Sequence, residues 1–206
     1  MRVGSKPHSN PFSTRFVRPG ALPFRFPPGK DAASLAHDLE RLGGWGQIIG
    51  PHGSGKSTLL AALLPHLRQR QTVVTVELHT DRRRWPDLAP LPPPALLVVD
   101  GFEQLSWWTR WRVRSLCRRW GWGLLVTAHA DMGLPLLHRT GVDPSVAHEI
   151  VAALLSPDEQ HLCAPDHLEQ ALARHRGNLR DVLFDLYDIY ERSRGESTGT
   201  LTRRPE

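Results

Sequence analysis

Gly50-Pro51-His52-Gly53-Ser54-Gly55-Lys56-Ser57-Thr58 is the stretch whose reading decides the fold. It fits G-x-x-x-x-G-K-[ST] at every position. Trp45 to Ile49 before it reads as a buried strand, and Leu59 to Leu67 after it reads as a helix. A strand, a glycine-rich turn and a helix N-terminus in that order make a phosphate cradle, a P-loop. The glycines let successive N–H groups converge on oxygens, and the helix end adds positive potential. All nine residues from Gly50 to Thr58 are therefore candidate nucleotide-binding residues, Pro51, His52, Gly53, Ser54 and Gly55 included. Lys56 has the reach for the β- and γ-phosphates, and the Ser57 hydroxyl is placed to ligate the Mg²⁺ that bridges them. ATP and Mg²⁺ are the expected cofactors.

The totals set bounds. A chain of 206 residues can bury one good core with a small second lobe. Hydrophobic content of 40% and charged content of 23% are those of a globular protein. The formal net charge of +5 permits an acidic partner such as nucleic acid, although nucleotide phosphates account for part of it. Cys117 and Cys163 have no metal-type spacing and make no disulfide framework, so a reducing cytoplasm is expected. Arg2 and Lys6 are followed by prolines and polar residues where a signal peptide would have an apolar core. No apolar run reaches the length of a membrane span.

Outward from the P-loop the chain divides into four. Residues 1–30 carry Pro7, Pro11, Pro19, Pro23, Pro27 and Pro28, which forbid regular helix and predict an extended arm whose Phe12, Phe16, Phe24 and Phe26 lie partly on the body. Residues 31–143 are the expected core. Asp31 to Leu42 predicts a helix stopped by Gly43-Gly44, and Thr72 to Leu78 a second strand. Arg82-Arg83-Arg84 and the proline-rich run to Pro94 predict an exposed connection. Ala95-Leu96-Leu97-Val98-Val99-Asp100 is a buried parallel strand ending in a carboxylate, which makes Asp100 the expected second Mg²⁺ residue. Glu103 is either the residue that directs the attacking water or a helix-start acid favoured by the dipole.

From Leu105 to Trp120 a helical wheel puts Leu105, Thr109, Val113, Leu116, Cys117 and Trp120 on the core side. Trp107 and Trp111 fall opposite, among Arg110, Arg114 and Arg118. Such a face suits docking, or is covered within the monomer. Leu124 to His129 predicts a fourth strand ending beside the γ-phosphate at Thr127 or His129, and residues 134–142 a fifth with Arg139 close by. Residues 144–192 predict only helices, Ser145–Leu155, Asp166–His175 and Leu179–Arg192. Arg180 in the first turn of the last one implies an anion opposite it. Residues 193–206 read as a disordered tail.

These residues resemble the additional-strand P-loop ATPases, and within them the AAA+ and signal-transduction (STAND) ATPases. Asp100-Gly101-Phe102-Glu103 resembles the Asp-Gly-x-[Asp/Glu] form of Walker B, although Glu103 does not directly follow Asp100 as in most AAA+ members. Thr127-Ala128-His129 stands where sensor 1 belongs. Gly177-Asn178-Leu179-Arg180 resembles the sensor 2 motif of origin-recognition-type AAA+ proteins, and Arg139 falls where an arginine finger serves a neighbouring subunit. The resemblance implies an α/β three-layer fold with a parallel sheet in the order 5-1-4-3-2 and a small C-terminal helical lid. It also implies a segment before the first helix, Phe12 to Arg18, that covers adenine. The activity implied is ATP hydrolysis used as a switch on a macromolecular partner, a protein or DNA/RNA, with a homo-oligomer compatible. A small-molecule kinase and a nucleotide-stabilised binding module are the alternatives. The chain has no Asn-Lys-x-Asp for guanine and no Leu-Ser-Gly-Gly-Gln signature.

Overall fold

The protein was analysed as a computed structural model, which describes residues 10–13, 15, 22–78, 85–156, 159, 165–175 and 177–199. Arg82-Arg83-Arg84, Cys163, Phe16 and Arg18 lie outside them. The chain forms two units, one running from Pro23 to Gly141 and the other combining Met1–Leu22 with Val142–Glu206.

The first unit is built on five parallel strands: β1 (Trp45–Ile49), β2 (Thr72–Glu77), β3 (Ala95–Asp100), β4 (Gly123–Ala128) and β5 (Leu136–Arg139). Their order across the sheet is β2-β3-β4-β1-β5, which is 5-1-4-3-2 from the other edge. Helices α1 (Ala32–Arg41), α2 (Lys56–Arg68) and α3 (Trp107–Trp120) pack on it. The central strands β3 and β4 are almost wholly apolar because both their faces are covered, whereas β2 and β5 at the edges carry exposed polar residues. Leu96, Val98, Ile48 and Leu125 face Leu35 and Leu39 of α1 and Leu59 and Leu63 of α2. Leu97, Val99, Leu124 and Val126 face the other way, against Phe102, Val113, Cys117 and Trp122. Side chains of this size, buried to within a few per cent, contribute about 2 kcal/mol each.

Local signals explain the boundaries. Asp31 and Ser34 form a capping box, with Asp31 Oδ1 accepting from Ser34 N at 2.7 Å and Ser34 Oγ accepting from Asp31 N at 3.0 Å. The expected Leu105–Trp120 helix begins later, at Trp107, because Ser106 Oγ caps it by accepting from Thr109 N and because Phe102–Gln104 forms a 3₁₀ turn of its own. The register aligns the strand ends that matter. Ile49 pairs with Ala128, Val99 with Val126, and Ile49 on its other side with Arg139. The carboxyl ends of β1, β3 and β4 thus open on one edge, where ligands bind in open parallel sheets.

The second unit has its own core. Helices α4 (Pro144–Leu154), α5 (Pro165–Arg174) and α6 (Leu179–Gly199) bury Ala147, Val151, Leu168, Leu172, Val182 and Leu186. Asp143 caps α4 by accepting from Ser145 N at 2.8 Å, and Asn178 Oδ1 accepts from Arg180 N and Asp181 N at the start of α6. Two expectations differ here. The tail expected from residue 193 continues as helix to Gly199, since Ser193 to Thr198 holds no proline to stop it. The N-terminal arm is not one element either. Phe12 is 2% exposed and meets Tyr190 edge-on at 6.3 Å, while Asn10 Nδ2 donates to Tyr187 O at 3.1 Å and Glu191 Oε1 at 2.9 Å. Phe24 and Phe26 pack on the α1–α2 side of the sheet unit. Phe12 is thereby taken up by a hydrophobic core and has no free face for an adenine ring.

Candidate nucleotide site

The loop that leaves β1 is braced by the strands on either side of it, β4 and β5. Gly50 N donates to Ala128 O at 3.2 Å, and Thr140 N to Ile49 O at 2.8 Å. A Cβ at Gly50 would lie 2.2 Å from Thr140 Oγ1 and 2.8 Å from Ser54 Oγ, so only glycine fits. Those two hydroxyls bond each other at 2.6 Å, and Ser54 Oγ donates to Pro51 O at 2.8 Å. Thr140 is 3% exposed and holds the loop's shape, a role that the motif alone does not announce. The aromatic beside this loop is Phe24. A Cβ at Gly55 would lie 3.5 Å from its ring, which in turn meets Phe26 at 4.9 Å and His138 at 6.0 Å.

Lys56 begins α2 and folds back over the loop, donating from Nζ to Gly50 O at 2.8 Å and Pro51 O at 2.7 Å. It also lies 3.1 Å from His129 Nδ1. Toward that ammonium Nδ1 is an acceptor, whereas toward Gly50 O, 3.2 Å away, it is a donor, so the two contacts call for opposite protonation of Nδ1; the other ring nitrogen is Nε2. That nitrogen lies 3.0 Å from Glu103 Oε1. His52 stacks on the same imidazole with centroids 3.6 Å apart. Burial lowers the Lys56 pKa, with Glu103 and then Asp100 pulling the other way.

The Asp-Gly-x-Glu sequence has a backbone reason. Gly101 has φ 84°, and a Cβ there would lie 2.6 Å from Leu78 O. The left-handed turn swings the chain into the 3₁₀ turn, and this brings Glu103, two positions later than usual for Walker B, to His129. Glu103 Oε2 is buried and has no hydrogen-bond partner among the described residues. Thr127 is 1% exposed; its hydroxyl donates to Asp100 Oδ1 and accepts from Gly101 N at 2.9 Å. Thr127 therefore fixes Asp100, and His129 is the residue of the pair that reaches the loop.

Chemically, Ser57 and Asp100 suit a hydrated cation, the amides after Gly50 and the Lys56 ammonium suit phosphate, and the orphaned Glu103 oxygen suits a water proton. Among the predicted residues, Lys56, His129 and Glu103 form one chain of contacts and Asp100 and Thr127 a bonded pair, with Asp100 acting on Lys56 through its charge. Arg139 joins neither by any bond. It is exposed on β5, close enough to Asp131 to help hold that carboxyl below its ordinary range, after the Gln47 and Gly133 hydrogen bonds. Arg180 belongs to the helical unit, exposed, with its guanidinium 5.8 Å over the Phe184 ring.

The face of α3 differs from its wheel. Arg110 and Arg114 turn inward: Arg110 donates from Nε to Leu105 O and from Nη2 to Glu103 O, both at 2.8 Å, and Arg114 lies over Phe102 and donates to Met132 O. Trp107, Trp108 and Trp111 stay 65%, 61% and 59% exposed.

No protein-family model matches the sequence, and no curated protein matches it. Among solved structures, the crystal structure of Cdc6p from Pyrobaculum aerophilum is similar, with a TM-score of 0.60 at 17% identity over 90% of this chain. The chain spans 66% of the length of that structure. At this identity the likeness shows the fold alone: this chain shares with that structure an α/β fold, here built on a five-stranded parallel sheet.

Proposed function

We propose that the protein binds ATP with Mg²⁺ at the Gly50–Thr58 loop and hydrolyses it, using the cycle as a switch on a macromolecular partner. The observation that carries the reading is the continuous contact Lys56–His129–Glu103, at 3.1 and 3.0 Å, beside Asp100. In this reading the γ-phosphate takes Lys56 away from the Gly50 and Pro51 carbonyls. Ser57 and Asp100 hold the cation, directly or through water, and Glu103 Oε2 accepts a proton from water aligned with the γ-phosphate. His129 senses the phosphate by losing its Lys56 contact while keeping Glu103 oriented. The helical unit acts as the lid that brings Arg180 to the phosphates, and Arg139 serves the site of a neighbouring copy.

The test compares nucleotide binding with turnover. Lys56→Ala is expected to lose both. Glu103→Gln is expected to bind ATP as the wild type does and to turn over slower by about 10²–10⁴-fold, the usual worth of a general base. ATP binding with no turnover in the wild type would overturn the hydrolysis reading, and consumption of ATP only with a small acceptor present would replace it by a kinase.

A further inference from the structure

The solvent face of α3 carries aromatic and cationic groups and nothing acidic. In Trp107–Trp120 the charged residues are Arg110, Arg112, Arg114, Arg118 and Arg119, with no carboxylate. Arg110 and Arg114 are used inside, as described above. The outward residues fall in two rows at helical spacing, Trp108-Arg112-Arg119 and Trp107-Trp111-Arg118. Trp107 and Trp108 stack with centroids 4.2 Å apart and planes 26° off parallel, and Trp111 meets Trp108 edge-on at 6.2 Å. Arg112 and Arg119 are exposed, and Arg118, also exposed, has its guanidinium 5.5 Å over Trp45. From Trp107 to Arg119 the surface extends for about 18 Å along the axis.

Three large apolar rings left this far in water need a reason. Tryptophan and arginine also dominate protein-binding hot spots, but those cluster at the centre of an interface, whereas here rings and then cations follow one another along about 18 Å of helix. Flat π-faces followed by cations on one surface match a partner that is itself flat rings on an anionic chain. We propose that this face of α3 binds single-stranded nucleic acid, with bases stacking on Trp107, Trp108 and Trp111 and phosphates meeting Arg112 and Arg119. The inference names a partner class for the switch reading and rests on that reading only for its use. Binding itself is measured without nucleotide, so a failure of ATP turnover leaves it standing.

The experiment uses the full chain and a labelled oligo-deoxythymidine, read by anisotropy and by quenching of tryptophan emission, over a salt series. Binding with quenching is expected. The triple change of Trp107, Trp108 and Trp111 to Ala should weaken it by about tenfold or more, while the same three changed to Phe should retain most of it. Arg112→Ala with Arg119→Ala should flatten the slope of log affinity against log salt by about 1.4, two phosphate contacts on a single strand. Tryptophan changes that leave affinity unaltered would overturn the proposal, as would duplex DNA binding better than the single strand. Polyglutamate competing as well as the oligonucleotide would overturn it too, since the surface would then read charge alone.

Discussion

At the scale of single residues, His129 is the hinge of the site. Its Nδ1 meets Lys56 and the Gly50 carbonyl, its Nε2 meets Glu103, and its ring stacks with His52. Removing the imidazole leaves Glu103, which already has one buried oxygen without a partner, with neither oxygen satisfied. Stranding a buried polar group costs about 1–3 kcal/mol, which in a chain of this size is roughly 3–8 °C of melting temperature. His129→Ala is therefore expected to melt earlier by that much and to lose turnover while still binding ATP, because the loop amides and Lys56 remain. Calorimetry and nucleotide titration together check it. A variant that melted like the wild type would mean that the Glu103 contact contributes nothing. Thr127 should be kept out of this role: it is enclosed and spends its hydroxyl on Asp100. Residue type alone could not separate the two, because Thr and His at a strand end are equally plausible phosphate sensors until burial is known.

At the scale of elements, α3 and the turn before it act together. Arg110 ties the first turn of the helix to the carbonyls of Glu103 and Leu105 through two nitrogens, so movement of α3 reaches the carboxylate. Arg110→Ala is expected to cost about 1–3 kcal/mol, the worth of hydrogen bonds from a charged group, and to lower turnover more than ATP affinity. Arg110→Lys should not rescue it, since a single ammonium cannot reproduce the planar fork. Equal turnover in wild type and Arg110→Ala, measured at saturating ATP, would show the tie to be idle. The helix's end at Trp120 was readable, as were its buried Val113 and Cys117 from spacing, but spacing puts its start two residues early, at Leu105, ahead of the Ser106 cap. Its arginines were not readable. Periodicity scores Arg110 and Arg114 as polar and puts them outside, whereas a long stem can pack over Phe102 and send its head to a carbonyl. The P-loop was readable because everything it needs is contiguous. Thr140 was not, because its bond to Ser54 joins residues far apart in sequence and exists only once β5 lies beside β1.

At the scale of the whole molecule, the chain starts in one unit, builds the P-loop unit from Pro23 to Gly141, and returns to finish the first. The helical unit therefore closes only when the N-terminal segment reaches α6. The Pro-rich composition around Phe12 concealed this, since prolines announce an extended chain but not the core it enters. Phe12 supplies the ring that meets Tyr190, and Asn10 closes over it on Tyr187 and Glu191. Phe12→Ala opens a cavity beside Tyr190 in the core that also holds Val151 and Leu186, and a buried Phe→Ala typically costs about 3–5 kcal/mol. The loss should be confined to one unit, because the sheet has its own two cores. Native-state amide exchange separates the cases. Protection is expected to fall in α4 and α6 while β1, β3 and β4 keep theirs, and ATP should still bind the Gly50–Thr58 loop. Equal loss of protection in strands and helices would mean that the two units unfold as one, and unchanged protection in α6 would mean that Phe12 is not part of its core.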